Sequence, residues 1–170
     1  TITAATTLTF SGLIGSETLG QTVGSTFSDK NVDTGKTVIV NSITLANGTN
    51  GGLASNYTIV SGQTTTANIT AKALTVSGIT ASDKTYDATT SATLGTGSVI
   101  YGGLVSGDTL TGTYSGVFNN ANVGSGKTVT ITSSYGGTDV NNYTITDQTS
   151  TTADVTAKTL TATASASNKV

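Results

Sequence analysis

The chain has no Cys, Pro, Met, Trp or His, and Arg is missing as well. Without His or Cys, nucleophilic and general acid–base chemistry has only nine scattered acidic residues to draw on, so catalysis is not expected and no cofactor is implied. The lack of Cys rules out a disulfide framework; it suits export as an unfolded chain and equally a cytoplasmic life. Charged residues make up only 9% and the net charge is −2, which leaves no basic surface for nucleic acid. No run approaches 18 apolar residues, so no membrane-spanning helix is expected.

What is present is Thr, which supplies 40 of the 170 residues, with Gly, Ser, Val, Ile and Tyr around it. Strand formers dominate and helix formers are scarce, so the fold class is all-β. Apolar and polar residues alternate, as in KTVTIT from Lys127 and NYTIT from Asn142. A period of two buries one face of a strand and leaves a Thr ladder on the other. Gly-, Asn- and Ser-rich turns separate the runs.

The sequence also repeats itself. FSDKNVDTGKTVIV from Phe27 returns as FNNANVGSGKTVTI from Phe118, NYTI from Asn56 returns from Asn142, and TTTANITAKALT from Thr64 returns as STTADVTAKTLT from Ser150. A spacing of about ninety residues is a whole small domain, too long for a solenoid rung. Parity places the boundaries: Ala67, Ile69 and Ala71 are odd, whereas Leu74 and Val76 are even, and the same switch recurs near Lys158. A one-residue slip turns over the inward face of a strand. Residues 1–72 are therefore expected to be a first module lacking its first strand, 73–158 a complete second module, and 159–170 the first strand of a third. No Pro, Gly or Ser-rich spacer interrupts the junction, which predicts modules joined stiffly end to end. About seven short strands per module is the pattern of an immunoglobulin-like β-sandwich. The expected core is Phe27, Val38, Val40, Tyr57 and Ile59 in one copy, and Phe118, Val129, Ile131, Tyr143 and Ile145 in the other. Tyr57 and Tyr143 are each expected to open a strand after a polar turn.

The order DKTYDATTSATL, then FNNANVGSGKTVTI, then NNYTITDQTSTTADVTAK resembles the YDG-type repeat of large bacterial surface adhesins and filamentous-haemagglutinin-like exoproteins. Lys84, Tyr86 and Asp87 match the motif that opens that repeat, with Ala88 where its Gly belongs, a replacement that speaks against a tight positive-φ turn. The resemblance covers nearly the whole chain. It implies a secreted structural repeat at the bacterial cell surface, serving as stiff stalk or assembly unit in an adhesin or extracellular filament, with no catalytic residues.

Three sets of residues are candidate sites. Asp29, Asn31 and Asp33 have the spacing of a calcium loop, although the second copy loses both carboxylates and a polar turn fits better. Lys36, Asn56 and Glu17, matched by Lys127, Asn142 and Asp108, have the residue types of a self-formed isopeptide bond. The alternative function is carbohydrate or host-protein binding through the loops at 45–55 and 135–141, which differ most between copies. The expected partners are neighbouring repeats of the same protein, by head-to-tail strand exchange, and surface glycans.

Overall fold

The computed structural model describes residues 3–60 and 62–169, and nearly all of their regular structure is β. The chain divides into two compact units, 1–71 and 72–170. Among the described residues no helix is long and apolar enough to cross a membrane. The expectations for residues 1, 2 and 170 lie outside the described residues.

Unit 1 is built on three antiparallel strands in the order β1-β2-β3: β1 (Leu19–Phe27), β2 (Asp33–Asn47) and β3 (Thr64–Ile69). Residues 3–8 run beside β1, where Ala4 N–H donates to Ser25 O at 3.1 Å and Gln21 Nε2 donates to Leu8 O at 2.7 Å. A single 3-10 turn, Ala54–Asn56, precedes Tyr57. The apolar residues of this unit that are fully buried, among those described, are Val38 and Val40 alone.

Unit 2 opens with β4 (Lys72–Ser77), followed by the short strands β5 (Thr80–Ala81), β6 (Lys84–Thr85), β7 (Ser91–Ala92), β8 (Leu94–Gly95) and β9 (Ile100–Gly102). The long pair β10 (Thr111–Phe118) and β11 (Gly124–Gly136) comes next, then β12 (Tyr143–Thr146) and β13 (Ser150–Thr156). One sheet has the order β6-β13-β11-β10-β7, a second β12-β4-β9, and β5 pairs with β8. β4 is the middle strand of its sheet, parallel to β12 and antiparallel to β9. From it Leu74 and Val76 enter one core with Ile79, Ile131 and Tyr143, while Phe118, Val129, Ala153 and Val155 form a second. The apolar phase changes as the sequence pattern required: Ala67 and Ile69 face inward on β3, Leu74 and Val76 on β4.

Six of the ten expected core residues are buried, and four are only half-buried: Phe27, Tyr57, Ile59 and Ile145. Ile145 lies on an edge strand and Phe27 ends β1. Tyr57 does not open a strand, because residues 57–60 have no neighbouring strand to pair with, whereas Tyr143 opens β12 beside β4. Residues 157–169 form no strand and are exposed throughout.

Two backbone features explain motif residues. In each copy the ladder shifts register across the V-x-x-G-K segment, between Asp33 and Lys36 and between Gly124 and Lys127. Gly35 and Gly126 sit there at φ 66° and 58°, a bulge conformation that costs a side chain strain. The second feature is a correction: Ala88 does adopt positive φ, at 65°, despite its Cβ. The tight turn therefore survives without Gly, under strain. Ala88→Gly is expected to raise the stability of unit 2 by about 1 kcal/mol, relief of left-handed strain outweighing the added freedom of the unfolded chain. Urea denaturation checks it; an unchanged midpoint would show the turn to be unstrained.

Candidate functional site

The polar residues that the repeat carries are spent on clasps within each unit. Lys36 resumes the pairing of β2 with β3 after the register shift, and with its stem buried its ammonium meets Asp29 Oδ1 at 2.5 Å. Lys127, its counterpart, donates to Asn120 Oδ1 at 2.5 Å and to Asn122 O at 2.6 Å. Below each lysine, Gly35 and Gly126 donate their N–H to Asn68 Oδ1 and Asp154 Oδ1, at 2.8 and 2.7 Å. The loop thus folds back over the strand that follows it. The Lys36 side chain, reinforced by the Asn31 N–H, holds the Asp29 carboxyl below its usual pKa.

Asp29 pairs with Lys36, and Asp33 Oδ1 accepts from Thr34 N–H at 2.8 Å. Among the described residues no group of three metal-binding side chains is present.

The isopeptide sets are dispersed. Lys127 stands near the start of β11, whereas Asp108 and Asn142 belong to the other end, where Thr111 pairs with Gly136. Nine residues of strand separate them, about 30 Å. Lys36 is likewise eleven residues from Asn47, the end of β2 that faces Glu17 and Asn56. The acids are bound to tyrosines instead. Tyr143 Oη donates to Asp108 Oδ2 at 2.6 Å and accepts from Val105 N–H at 3.0 Å. Tyr57 Oη repeats this with Glu17 and with Ile14 N–H. Burial and then the Asp108 carboxylate raise the Tyr143 pKa; for Tyr57 the Glu17 hydrogen bond is the main cause. The matched NYT and acid positions are visible in the sequence, and a tyrosine-corner role for Tyr57 and Tyr143 is open to it; the acid as the hydroxyl's second partner is not.

A third clasp was missed altogether. Lys84 donates to Asp87 Oδ1 (2.8 Å), to Thr89 O and Oγ1 (2.8 and 3.0 Å) and to Ser91 O (3.1 Å), and lies 5.5 Å from the centre of the Phe118 ring. Asp87 also accepts from the Thr89 N–H and hydroxyl. These residues are the opening motif, and Ala88 is the strained corner of their turn. Lys84, followed by the Thr89 donors, lowers the Asp87 pKa from 3.8 to about 2. A carboxyl held low in the fold contributes stability above its ordinary pKa and loses it as the pH falls through the folded value. Unit 2 should therefore lose stability between about pH 4 and pH 2, and Asp87→Asn should remove that part of the acid dependence. Melting temperatures across this window check it; an identical profile in the variant would contradict the clasp.

The two variable loops are tied down by their own polar groups. Asn47 Oδ1 accepts from Ala54 N–H, Asn50 Nδ2 donates to Ser16 O, and buried Asp139 accepts from Thr109 N–H, each at 2.8 Å. One hollow in unit 1, of about 280 Å³, is lined by Phe10, Leu13, Leu19, Leu45, Tyr57 and Ile59 among others. A shallower one of about 250 Å³ lies over Tyr114 and Ser133 in unit 2.

Comparison with known families gives one result. The YDG domain matches residues 1–67 and again residues 70–153. No curated protein and no solved structure matches the chain.

Proposed function

Because the chain belongs to the YDG domain family, matched twice along its length, we propose that it is a structural repeat segment of a secreted bacterial adhesin or extracellular filament, acting as stalk or assembly unit. The observation that carries this reading is the internal use of polar chemistry. Both copies repeat the lysine clasp and the tyrosine–acid bond, and those groups hold loops to strands within a unit. Such contacts stabilise a module. Only Thr70 and Ala71 separate β3 from β4, too few for a flexible spacer, which supports a stiff junction between modules. The modules are read as tandem immunoglobulin-like sandwiches of a cell-surface protein. The parity switches favour modules at 1–72 and 73–158, with 159–170 opening a third.

Force spectroscopy on the chain held by its ends, together with glycan and matrix-protein arrays, tests the proposal. A load-bearing repeat unfolds in two discrete steps and gives no array signal. Saturable array binding that disappears when residues 45–55 or 135–141 are replaced would overturn it in favour of a binding module.

A further inference from the structure

The hollow in unit 1 has a filled counterpart in unit 2. Through the repeat, Phe10, Leu13 and Leu19 correspond to Tyr101, Leu104 and Leu110, and Tyr57 and Ile59 to Tyr143 and Ile145. Leu45 corresponds to Tyr135, since Leu45 pairs with Gln21 as Tyr135 pairs with Gly112, the bulge after Gly24 absorbing one residue. In unit 2 those six residues surround Leu74 and Val76 of β4. β4 runs between β12 and β9; in unit 1 the matching segments, residues 57–60 and 9–11, both line the hollow and have no strand between them.

A polar atom points the same way. Gln148, on the connection from β12 to β13, accepts from Ile79 N–H at 2.9 Å and donates to Ile79 O at 2.7 Å, fixing the chain that leaves β4. Gln63, one position further along the matching connection, lines the hollow, and its buried Oε1 has no partner among the described residues. An unpaired buried carbonyl and a bare apolar hollow are both costly, and a strand laid between the two edges would satisfy them together.

The sequence supplies such a strand. KTLTAT at residues 158–163 repeats KALTVS of β4, 86 residues on, and Leu160, the counterpart of fully buried Leu74, is 90% exposed. We propose that the hollow of unit 1 is a strand-acceptor site, filled by residues 158–163 of a second copy of this chain. The repeat fixes the register: Leu160 beside Ile59, parallel as Leu74 is to Ile145, and Ala162 opposite Phe10, antiparallel as Val76 is to Tyr101. The donor follows β13 as β4 follows β3, so donor and acceptor are different segments of the chain and the contact is heterologous. This stands on the hollow and its filled counterpart, whatever the chain does in the cell.

Light scattering of the full chain over a range of concentrations, beside Leu160→Asp and a chain ending at Ala157, tests it. Residues 157–169 make no strand, so the shortened chain keeps unit 2. The full chain should form concentration-dependent multimers and both variants should stay monomeric. Synthetic KTLTATASA should then bind the shortened chain one to one, shifting amide resonances at residues 9–13 and 57–60. KALTVSGIT, with Val and Ile in place of Ala162 and Ser165, should bind at least about tenfold more tightly. A full chain that is monomeric at every concentration, multimers that persist without residues 158–170, or peptide-induced shifts elsewhere would each overturn the proposal.

Discussion

Phe118→Ala is expected to destabilise unit 2 by about 3 to 5 kcal/mol, the range for removing a buried aromatic side chain that its surroundings cannot replace. The ring is 2% exposed and lies with Val129, Ala153 and Val155, while Lys84 approaches it from the opening clasp. Collapse into the gap is hindered, because backbone strands β10, β11 and β13 are fixed by their ladders. Gly116, two residues earlier on the same face, shows how tight this packing is: a Cβ there would come within 2.7 Å of Leu94 Cδ2. Chemical denaturation read from near-ultraviolet tyrosine signals checks the value. A midpoint equal to that of the parent chain would mean that the inward phase of β10 is misassigned.

The second large effect belongs to Leu74, which is fully buried in the middle strand of its sheet. Leu74→Ala should cost unit 2 about 2 to 5 kcal/mol. Only the Leu74 side chain is cut back, yet the damage should reach Tyr143 and its bond to Asp108, since Leu74 and Tyr143 line the same core. Unit 1 should be untouched. Separate unfolding transitions, followed by tryptic cleavage at Lys36 and Lys127, distinguish the two. Equal loss in both units, or loss in neither, would contradict the assignment of β4 to unit 2.

Much of this was legible because it depends on local chemistry. Alternation of Thr with Val and Ile marked β2, β11 and β13, since a period of two has one structural solution in water. The parity change between Ala71 and Leu74 was visible because a face reversal leaves a trace in apolar positions. Partnerships across the fold were not. Lysine, asparagine and acid occur at matched places in both copies, yet strands of eleven and nine residues keep them apart, and composition carries no distance. Tyr57 was expected to behave as Tyr143 does because the NYTI segments are identical; what differs is the strand beside them. Ala88 was read from its side chain, whereas Lys84, Asp87 and Thr89 fix the turn and impose positive φ on it. The clasps pair residues whose types alone are compatible with many partners.

A strand lies beside the NYTI segment of unit 2, and among the described residues none lies beside that of unit 1. Amide hydrogen exchange on the full chain at low micromolar concentration tests it most directly, by comparing identical NYTI segments in a single molecule. The alternate amides of β12 that face β4 should be protected to near the stability of unit 2, while those of residues 58–60 exchange at close to the rate of an open chain. Equal protection of the two segments in the monomer would contradict the account.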